Sequence, residues 1–352
     1  SDALQVQDNF SLDHDLYISD GALEMSSYSL IIAGNFHNDD TFTAGTSTVQ
    51  FNSGDNSLLK GSSITQFYNL TLNKTASSNL LSLSNDCEVA NNLTLTSGKI
   101  DLNSNDIDLS TSGNLISETN DNRIYDNAGG GQIITSGNSL SSNGTSYSNI
   151  RGLGLSITTQ GSGNVPGNTD ISRKHSLIQD VDGNGGTSIY RSFVISPSVN
   201  EDLGVSIDFA YFEGELGMEL PDLKLYRKPS GGEWELVGGE VEEGVYAVSV
   251  SNVSAFSEWT ASSGNTLMPV ELLSFDAYCN NGKLEFEWIT LSERNNHFFT
   301  LEKSLNAKDW ITLDHINGIG NSNSKNVYQY VTNQIANDLH YYRLKQTDYE
   351  SK

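Results

Sequence analysis

The segment "DLYISDGALEMSSYSLII" (residues 15–32) returns without a gap as "NLTLTSGKIDLNSNDIDL" (residues 92–109), and this internal copy decides the fold class. Corresponding apolar residues, such as Leu16 and Leu93, lie 77 positions apart. Within each copy apolar residues alternate with polar ones, which predicts three short strands separated by Asp-Gly or Ser-Gly and by Ser-Ser or Asn-Ser turns.

Short strands that repeat along the chain are typical of a β-solenoid, in which each turn buries its inward face only by stacking on its neighbours. A β-sandwich also has alternating strands, but it does not require an internal copy in the same register. Residues 1–138 are therefore predicted to form a β-solenoid-like repeat domain. Its predicted core contains Leu16, Ile18, Leu23, Leu93, Leu95, Ile100 and Leu102.

The composition agrees with an all-β protein and excludes several classes of partner. Only 18% of the 352 residues are charged, and Ser, Thr, Asn and Gly fill many of the remaining positions, which suits strands and turns. The net charge of −25 would repel nucleic acid and anionic lipid, so neither is expected as a partner. No apolar run reaches the ~18 residues that a membrane span needs, so no direct membrane insertion is expected.

The residue composition and the length of the predicted strands change after the repeat domain. No proline precedes Pro166 and no tryptophan precedes Trp234, and longer alternating strands such as "GVSIDFAYFEGEL" begin. Residues 139–264 are predicted to form a central β-sandwich. Pro269 then opens a further strand, and residues 265–352 are predicted to form a third module. Cys87 and Cys279 lie in different predicted domains, so neither a disulfide framework nor a thiolate metal site is indicated.

The last two parts resemble a known family. The stretch "MPVELLSFDA…NGKLEFEWITLSERNNHFFTLEKSLNAKDWITLDHINGIGNS…YYRLKQTDYESK" is similar to the Ig-like or fibronectin-type-III-like module that precedes the sorting domain in cargo of the type IX secretion system. The preceding "GTSIYRSFVISPSVNEDLGVSIDFAYFEGEL" and "VSAFSEWTAS" resemble the sandwich that commonly comes before that module.

This resemblance implies an extracellular protein or one displayed on the outer-membrane surface. It further implies that the fibronectin-III-like module is truncated at Lys352, that the type IX machinery would recognise a C-terminal sorting domain missing from this sequence, and that any signal peptide has been removed. It does not supply an activity, because function must be argued from a site and not from a fold.

The stretch "DVDGNGG" (residues 180–186) resembles the start of a calcium loop, with oxygen-bearing Asp180, Asp182 and Asn184 at alternate positions followed by glycine. The twelfth position of an EF-hand requires a glutamate, but here it is Arg191, so an EF-hand is excluded. The sequence favours a plain turn, with a weak Ca²⁺ site at Asp180, Asp182 and Asn184 as the alternative. No other cofactor is indicated.

Two groups of carboxylates are candidate catalytic residues, but the sequence supports them less than it supports the calcium loop. Glu213 and Glu215 of "YFEGEL" are predicted to share one strand face and so to resemble a glycosidase pair, although the stretch matches a structural strand of the resembled sandwich. In the solenoid, Asp101, Asp106 and Asp108 are expected to point outward, where solvation or cation binding between turns would explain them.

Three candidate functions remain open. A repeat rod with two sandwich modules and no catalytic constellation favours a structural or adhesin-like surface protein that binds glycan or another surface component. The alternatives are a polysaccharide-acting enzyme with its site in the solenoid, and export cargo whose partner is the secretion machinery itself.

Overall fold

A computed structural model describes residues 3–182, 185–216, 223–241, 245–263, 271–280, 283–322, 324–332 and 340–349. The protein is nearly all-β, and its first part is a β-solenoid of about six turns, which confirms both predictions. The chain divides into two compact units, Ser1–Gly264 and Asn265–Lys352. No helix in the described ranges is long and apolar enough to cross a membrane.

The solenoid consists of seventeen strands. They are β1 (Ala3–Gln5), β2 (Phe10–Leu12), β3 (Leu16–Ile18), β4 (Ala22–Glu24), β5 (Leu30–Ile32), β6 (Phe36–Asn38), β7 (Thr41–Thr43), β8 (Thr48–Phe51), β9 (Ser57–Lys60), β10 (Thr65–Asn73), β11 (Leu80–Leu83), β12 (Cys87–Ser97), β13 (Lys99–Asp101), β14 (Ile107–Asp108), β15 (Asn114–Ile116), β16 (Ile124–Tyr125) and β17 (Gln132–Leu140).

These strands stack in parallel on three faces. The first face begins with β1, β4 and β7, the second with β2, β5 and β8, and the third comprises β3, β6, β9, β11, β13 and β16. In β10 and β12 the segments of the first two faces join into one long strand, with a register irregularity between Phe67 and Asn69. Partners on the third face lie 19 to 24 residues apart, which is the length of one turn.

The alternation in sequence places the aliphatic residues inside, as predicted. Ile18, Leu23, Leu93, Leu95, Ile100 and Leu102 are buried, while Leu16 in the first turn is half-buried. The two copies of the sequence repeat do not occupy equivalent positions in the solenoid. Leu16 of the first copy lies on the third face, whereas Leu93 of the second copy lies on the second face. The repeat in sequence is therefore one strand with its turn, a unit that all three faces share.

Polar side chains at the corners connect successive turns. Asp15 accepts a hydrogen bond from the backbone N–H of Asn35 at 2.8 Å, and the Asn35 side-chain oxygen accepts one from the N–H of Leu58 at 2.7 Å. Asn56 accepts in the same way from the N–H of Leu80 at 2.9 Å. These bonds satisfy corner donors that no strand ladder reaches, which explains the many Asp and Asn residues.

The solenoid continues directly into a second group of strands. They are β18 (Ser146–Tyr147), β19 (Leu155–Thr159), β20 (Gly167–Lys174), β21 (Ser192–Pro197), β22 (Val205–Ala210), β23 (Lys224–Lys228), β24 (Glu235–Gly238), β25 (Glu240–Val241), β26 (Ala247–Val253) and β27 (Glu258–Ser262), with 3-10 turns at Ile150–Gly152 and Glu213–Glu215. Strand β17 pairs in parallel with β14 but antiparallel with β20, so one sheet runs from the solenoid through β20, β21, β27 and β23 to β24.

A second sheet, in the order β18-β19-β22-β26-β25, packs its apolar side chains against this continuous sheet. Phe193 of β21 meets Phe209 of β22 edge-to-face, with 5.0 Å between ring centroids. Both belong to one hydrophobic core that extends from Ile18 in the solenoid to Ala261 in β27. The solenoid and the strands after it therefore share their packing as well as their hydrogen bonds.

The second compact unit contains β28 (Glu271–Asn280), β29 (Lys283–Ser304), β30 (Ile311–Ser322), β31 (Asn326–Thr332) and β32 (Tyr341–Asp348). The first half of β29 pairs with β28 and β31, and the second half pairs with β30 and β32. Between the halves lies buried Glu293, which accepts hydrogen bonds from Thr290 at 2.8 Å and Asn296 at 2.7 Å. A core of Phe286, Trp288, Phe299 and Leu301 fills the unit.

Candidate functional site

Hydrogen bonds connect the described residues on the two sides of the predicted calcium loop. Val181 donates its backbone N–H to the carbonyl oxygen of Gly186 at 2.7 Å. The Asp180 side chain accepts from the N–H of Gly185 at 2.6 Å, and that of Asp182 accepts from the N–H of Gly186 at 2.8 Å. Asp180 has a φ of 55°, a left-handed conformation that Asp tolerates in turns.

One oxygen of each aspartate thus serves the backbone of its own loop. Asn184 lies outside the described residues, and no group of three or more His, Cys, Asp or Glu that could hold a metal occurs in the ranges that are described. The calcium hypothesis for Asp180, Asp182 and Asn184 stays a prediction.

The prediction that Glu213 and Glu215 share a strand face is wrong, because both lie in a 3-10 turn. Glu213 is exposed, whereas Glu215 is buried and faces the protein interior. Arg191 donates to one oxygen of Glu215 from Nη2 at 2.9 Å, and the other oxygen accepts from the N–H of Phe212 at 2.8 Å. A glycosidase pair needs two accessible carboxyl groups, one as the acid and one as the base or nucleophile. Glu215 cannot take either role here, because both of its oxygens accept hydrogen bonds within the protein.

Glu215 belongs to a buried cluster of charges between the last solenoid turn and the second group of strands. Glu118, just after β15, accepts from both terminal nitrogens of Arg173 at 2.8 Å. Arg173 also donates from Nε to His175 Nε2 at 3.3 Å and from Nη1 to the carbonyl oxygen of Leu153 at 3.0 Å. Two guanidinium groups and two carboxylates balance one another, as buried charges require.

The electrostatics of this cluster shift the pKa values of Glu118 and His175. Burial alone would raise the pKa of Glu118, but the charge and hydrogen bonds of Arg173, with Arg191 and the Ile124 N–H, outweigh it and hold the pKa below its ordinary value. Burial, reinforced by Arg173 and Arg191, lowers the pKa of His175 well below its ordinary value. His175 is therefore neutral, which agrees with its Nε2 accepting the Arg173 hydrogen bond.

A cleft of about 420 Å³ lies above this cluster, with Glu118 and Arg191 in its wall. The second sheet contributes Ser156, Asp208 and Ser249 to the lining. A volume in this range is typical of small-molecule sites.

These three side chains lie in one row across the sheet. Ser156 of β19 pairs with Asp208 of β22, Asp208 pairs with Ser249 of β26, and Ser249 pairs with Glu240 of β25. The residues that flank Asp208 along its strand, Ile207 and Phe209, are buried in the core, so the row faces outward. A shallower depression of about 710 Å³ adjoins Asp208, Ser249 and Glu240. The row therefore borders two recesses on one sheet face.

A second surface row lies on the third face of the solenoid. Tyr17 pairs with His37, and His37 pairs with Lys60 on the following turn. The rings of Tyr17 and His37 are 5.3 Å apart. Tyr17 donates its hydroxyl to Asp15 at 3.1 Å, and His37 Nε2 lies 2.9 Å from an oxygen of Asp39. Aromatic, basic and acidic groups thus share a short stretch of the outer surface.

Asp101 lies between the core residues Ile100 and Leu102 and so points away from the core, but it is buried and accepts from the backbone N–H groups of Asn103 and Asn127, both at 3.1 Å. Asp106 accepts from the N–H of Gln132 at 3.0 Å, and Asp108 accepts from the N–H of Ser110 at 2.6 Å. Unpaired backbone donors at the corners, and not solvation alone, explain these carboxylates.

Lys74 is an unforeseen buried cation in the solenoid. Its ammonium group donates to the hydroxyls of Ser53 at 2.9 Å and Ser57 at 2.6 Å and to the carbonyl oxygen of Asp55 at 3.0 Å. Burial lowers the pKa of Lys74 to about 8, against a small opposing effect of Asp55. All three contacts lie within the fold, so Lys74 holds a corner in place.

Comparisons with models of protein families, with curated proteins and with solved structures find no match for this chain. Its functional interpretation therefore depends on its own residues. The polar row across the second sheet was not predicted as a site. The alternation in "GVSIDFAYFEGEL" indicates that Asp208 faces outward, but no local signal tells which residue of another strand lies beside it.

Proposed function

We propose that this chain is a non-catalytic, adhesin-like protein of the cell surface or the extracellular space, exported by type IX secretion. It presents a rigid repeat rod that binds glycans or another surface component. The continuous hydrogen bonding from the solenoid into β20 and β21 supports a stiff rod, since a flexible linker is absent between the described strands on either side of β17.

The observation that carries this proposal is the row of Tyr17, His37 and Lys60 on the third face. Tyr17 is 57% exposed although its ring is held against His37 and its hydroxyl against Asp15. Rigid aromatic groups with polar tips give large contact areas at low entropic cost, which suits recognition at a surface. Loss of this row should therefore weaken binding without disturbing the solenoid core.

The modules that follow the solenoid in the sequence fit the same proposal. We interpret the two sheets that meet at Phe193 and Phe209 as a β-sandwich, and the unit built around β29 as an Ig-like or fibronectin-III-like module. Both interpretations are supported by the resemblance to type IX cargo in the sequence and by the arrangement of their strands. Contact with the secretion machinery would then occur through a C-terminal sorting domain and not through the rod.

A glycan array combined with a reducing-sugar release assay on the same polysaccharides tests the proposal. Binding without release supports an adhesin, and release would favour the alternative of a polysaccharide-acting enzyme. Tyr17→Ala combined with His37→Ala should weaken binding about tenfold, the scale expected for one aromatic contact with a hydrogen bond. Tyr278→Ala is the matched control, because Tyr278 is similarly exposed, at 49%, but lies in the second unit.

Failure to bind any glycan would contradict the glycan part of the proposal. If the purified chain instead bound only components of the secretion machinery, the alternative of export cargo without its own ligand would replace it.

A further inference from the structure

We propose that the outer face of the second sheet is a binding groove for a neutral glycan chain, centred on Asp208 and Ser249. This inference rests on the proposed function, because it names the ligand class and a site for it away from the solenoid. It is carried by the cross-strand row of Ser156, Asp208, Ser249 and Glu240, which borders two recesses on one sheet face.

The groups in the row have unused capacity for hydrogen bonds. The hydroxyl of Ser249 is buried without a hydrogen-bond partner within the described part of the chain. Its neighbour Asp208 is half-buried, and no hydrogen bond or ion pair to its carboxylate occurs among the described residues. Leaving a buried polar group unsatisfied costs about 1–3 kcal/mol, so a ligand that bonds to the Ser249 hydroxyl gains affinity. The Asp208 carboxylate beside it can accept a further hydrogen bond from the same ligand.

The chemistry of the row selects hydroxyl-rich ligands. Carboxylates accept hydrogen bonds from sugar hydroxyls, and serine hydroxyls both donate and accept. Two carboxylates in one row, on a chain of net charge −25, disfavour uronic acids and other anions. The guanidinium of Arg191 does not reverse this preference, because Glu215 and the carbonyl oxygen of Ala210 already accept from it. The groove therefore fits an uncharged saccharide.

The groove also offers apolar surface and length. Tyr246, which is 48% exposed, lies beside the cleft residue Tyr211 with 5.7 Å between their rings. The cleft of about 420 Å³ and the depression of about 710 Å³ both include Asp208 and Ser249, so they adjoin along the row. Apolar walls with a few placed polar groups are typical of ligand sites, and adjoining recesses suit several linked sugar units.

The test uses the full chain and titration calorimetry with hexasaccharides of glucose, mannose and xylose, and with hexagalacturonate as the anionic probe. We expect at least one neutral hexasaccharide to bind and hexagalacturonate not to bind. Asp208→Ala and Ser249→Val should each weaken the binding about tenfold or more, the effect of losing a hydrogen bond to a charged or buried group.

Glu201→Ala is the matched control, because Glu201 is an exposed carboxylate of the same unit outside the row. Thermal melts verify that each variant folds, and the conservative variant Asp208→Asn should recover part of the affinity. Preferential binding of hexagalacturonate would overturn the inference.

The outcomes separate this inference from the proposed function. If glycan binding persists in Asp208→Ala and Ser249→Val but is lost on changing Tyr17 and His37, the groove is not the site and the adhesin proposal stands. If no glycan binds the unaltered chain on the array or in the titrations, this inference fails together with the glycan part of the proposed function.

Discussion

Glu118 and Arg173 form a doubly hydrogen-bonded ion pair that joins the last solenoid turn to β20, 55 positions along the chain. The side chain of Arg173 is 0% exposed and that of Glu118 5% exposed. A pair so completely removed from water is sensitive to the loss of either partner, because the remaining charge is buried alone.

We therefore expect Arg173→Met to lower the free energy of unfolding by about 3–5 kcal/mol. The double variant Arg173→Met with Glu118→Leu should recover much of this loss, since it leaves no unpaired charge from this pair. Denaturant unfolding followed by circular dichroism measures both. Equal stability of Arg173→Met and the unaltered protein would show that the pair does not hold the junction.

His175 should make stability depend on pH below neutrality. Its pKa is lowered in the folded protein, so below pH ~6.5 the unfolded chain takes up a proton that the folded chain does not. The contribution of neutral His175 to the free energy of unfolding is therefore fully present above pH ~6.5. Below that pH the free energy of unfolding decreases, by at most about 1.4 kcal/mol per pH unit. His175→Gln should flatten the difference between pH 7 and pH 5 in urea melts, and an unchanged slope would contradict this assignment.

Lys74 should act at the other end of the pH range. The unfolded chain keeps its lysine proton up to about pH 10.4, whereas the folded protein releases it above about 8. Stability should thus rise between these values, by about 3 kcal/mol at most, and Lys74→Met should remove this rise. The comparison of the two proteins at each pH cancels the contribution of the tyrosines. A parallel pH profile for the variant would refute the buried-lysine explanation.

Gly152 should be irreplaceable for steric reasons. It has a φ of 79°, and a Cβ atom there would lie 1.8 Å from the carbonyl oxygen of Leu115. Gly144, with a φ of 64° and no heavy atom within 4 Å of such a Cβ, provides the control. Gly144→Ala should cost about 1–2 kcal/mol for the left-handed conformation, and Gly152→Ala a further 1–3 kcal/mol for the clash. Thermal melts of the two variants measure this difference. Equal losses of stability in Gly144→Ala and Gly152→Ala would contradict the predicted clash.

Calcium should change stability only modestly through the Asp180 loop. Thermal melts with excess chelator and with millimolar calcium are expected to differ by no more than about 2 °C, the effect of under 1 kcal/mol in a domain of this size. A large shift that disappears in the double variant Asp180→Ala with Asp182→Ala would instead establish the loop as a strong site.

The sequence predicts the solenoid because alternation and turn residues are local properties. It predicts Leu93 and Ile100 as core residues for the same reason, since each alternates with polar neighbours. It does not predict which strands stack, and the internal copy aligns Leu16 and Leu93 although they lie on different faces. Stacking depends on turn lengths that vary from 19 to 24 residues on the third face.

The candidate sites are less predictable because they depend on neighbours distant in sequence. Arg191 looks like a missing calcium ligand in a linear comparison, whereas in the fold it pairs with Glu215, 24 positions later. Asp208 and Ser249 become neighbours only through the pairing of β22 with β26. Charged residues at inward positions of a strand, such as Arg173, are the one local sign that such a buried network exists.

The reversal from parallel to antiparallel pairing at β17 bears on how this protein can evolve. Turns before β12 pair only with the turns directly above and below them. Duplication or deletion of one complete turn in that region would change the reach of the molecule while leaving β17, Glu118 and Arg173 untouched. The number of solenoid turns can therefore change in evolution without changing the junction at β17. Relatives with solenoids of different length should keep the same junction.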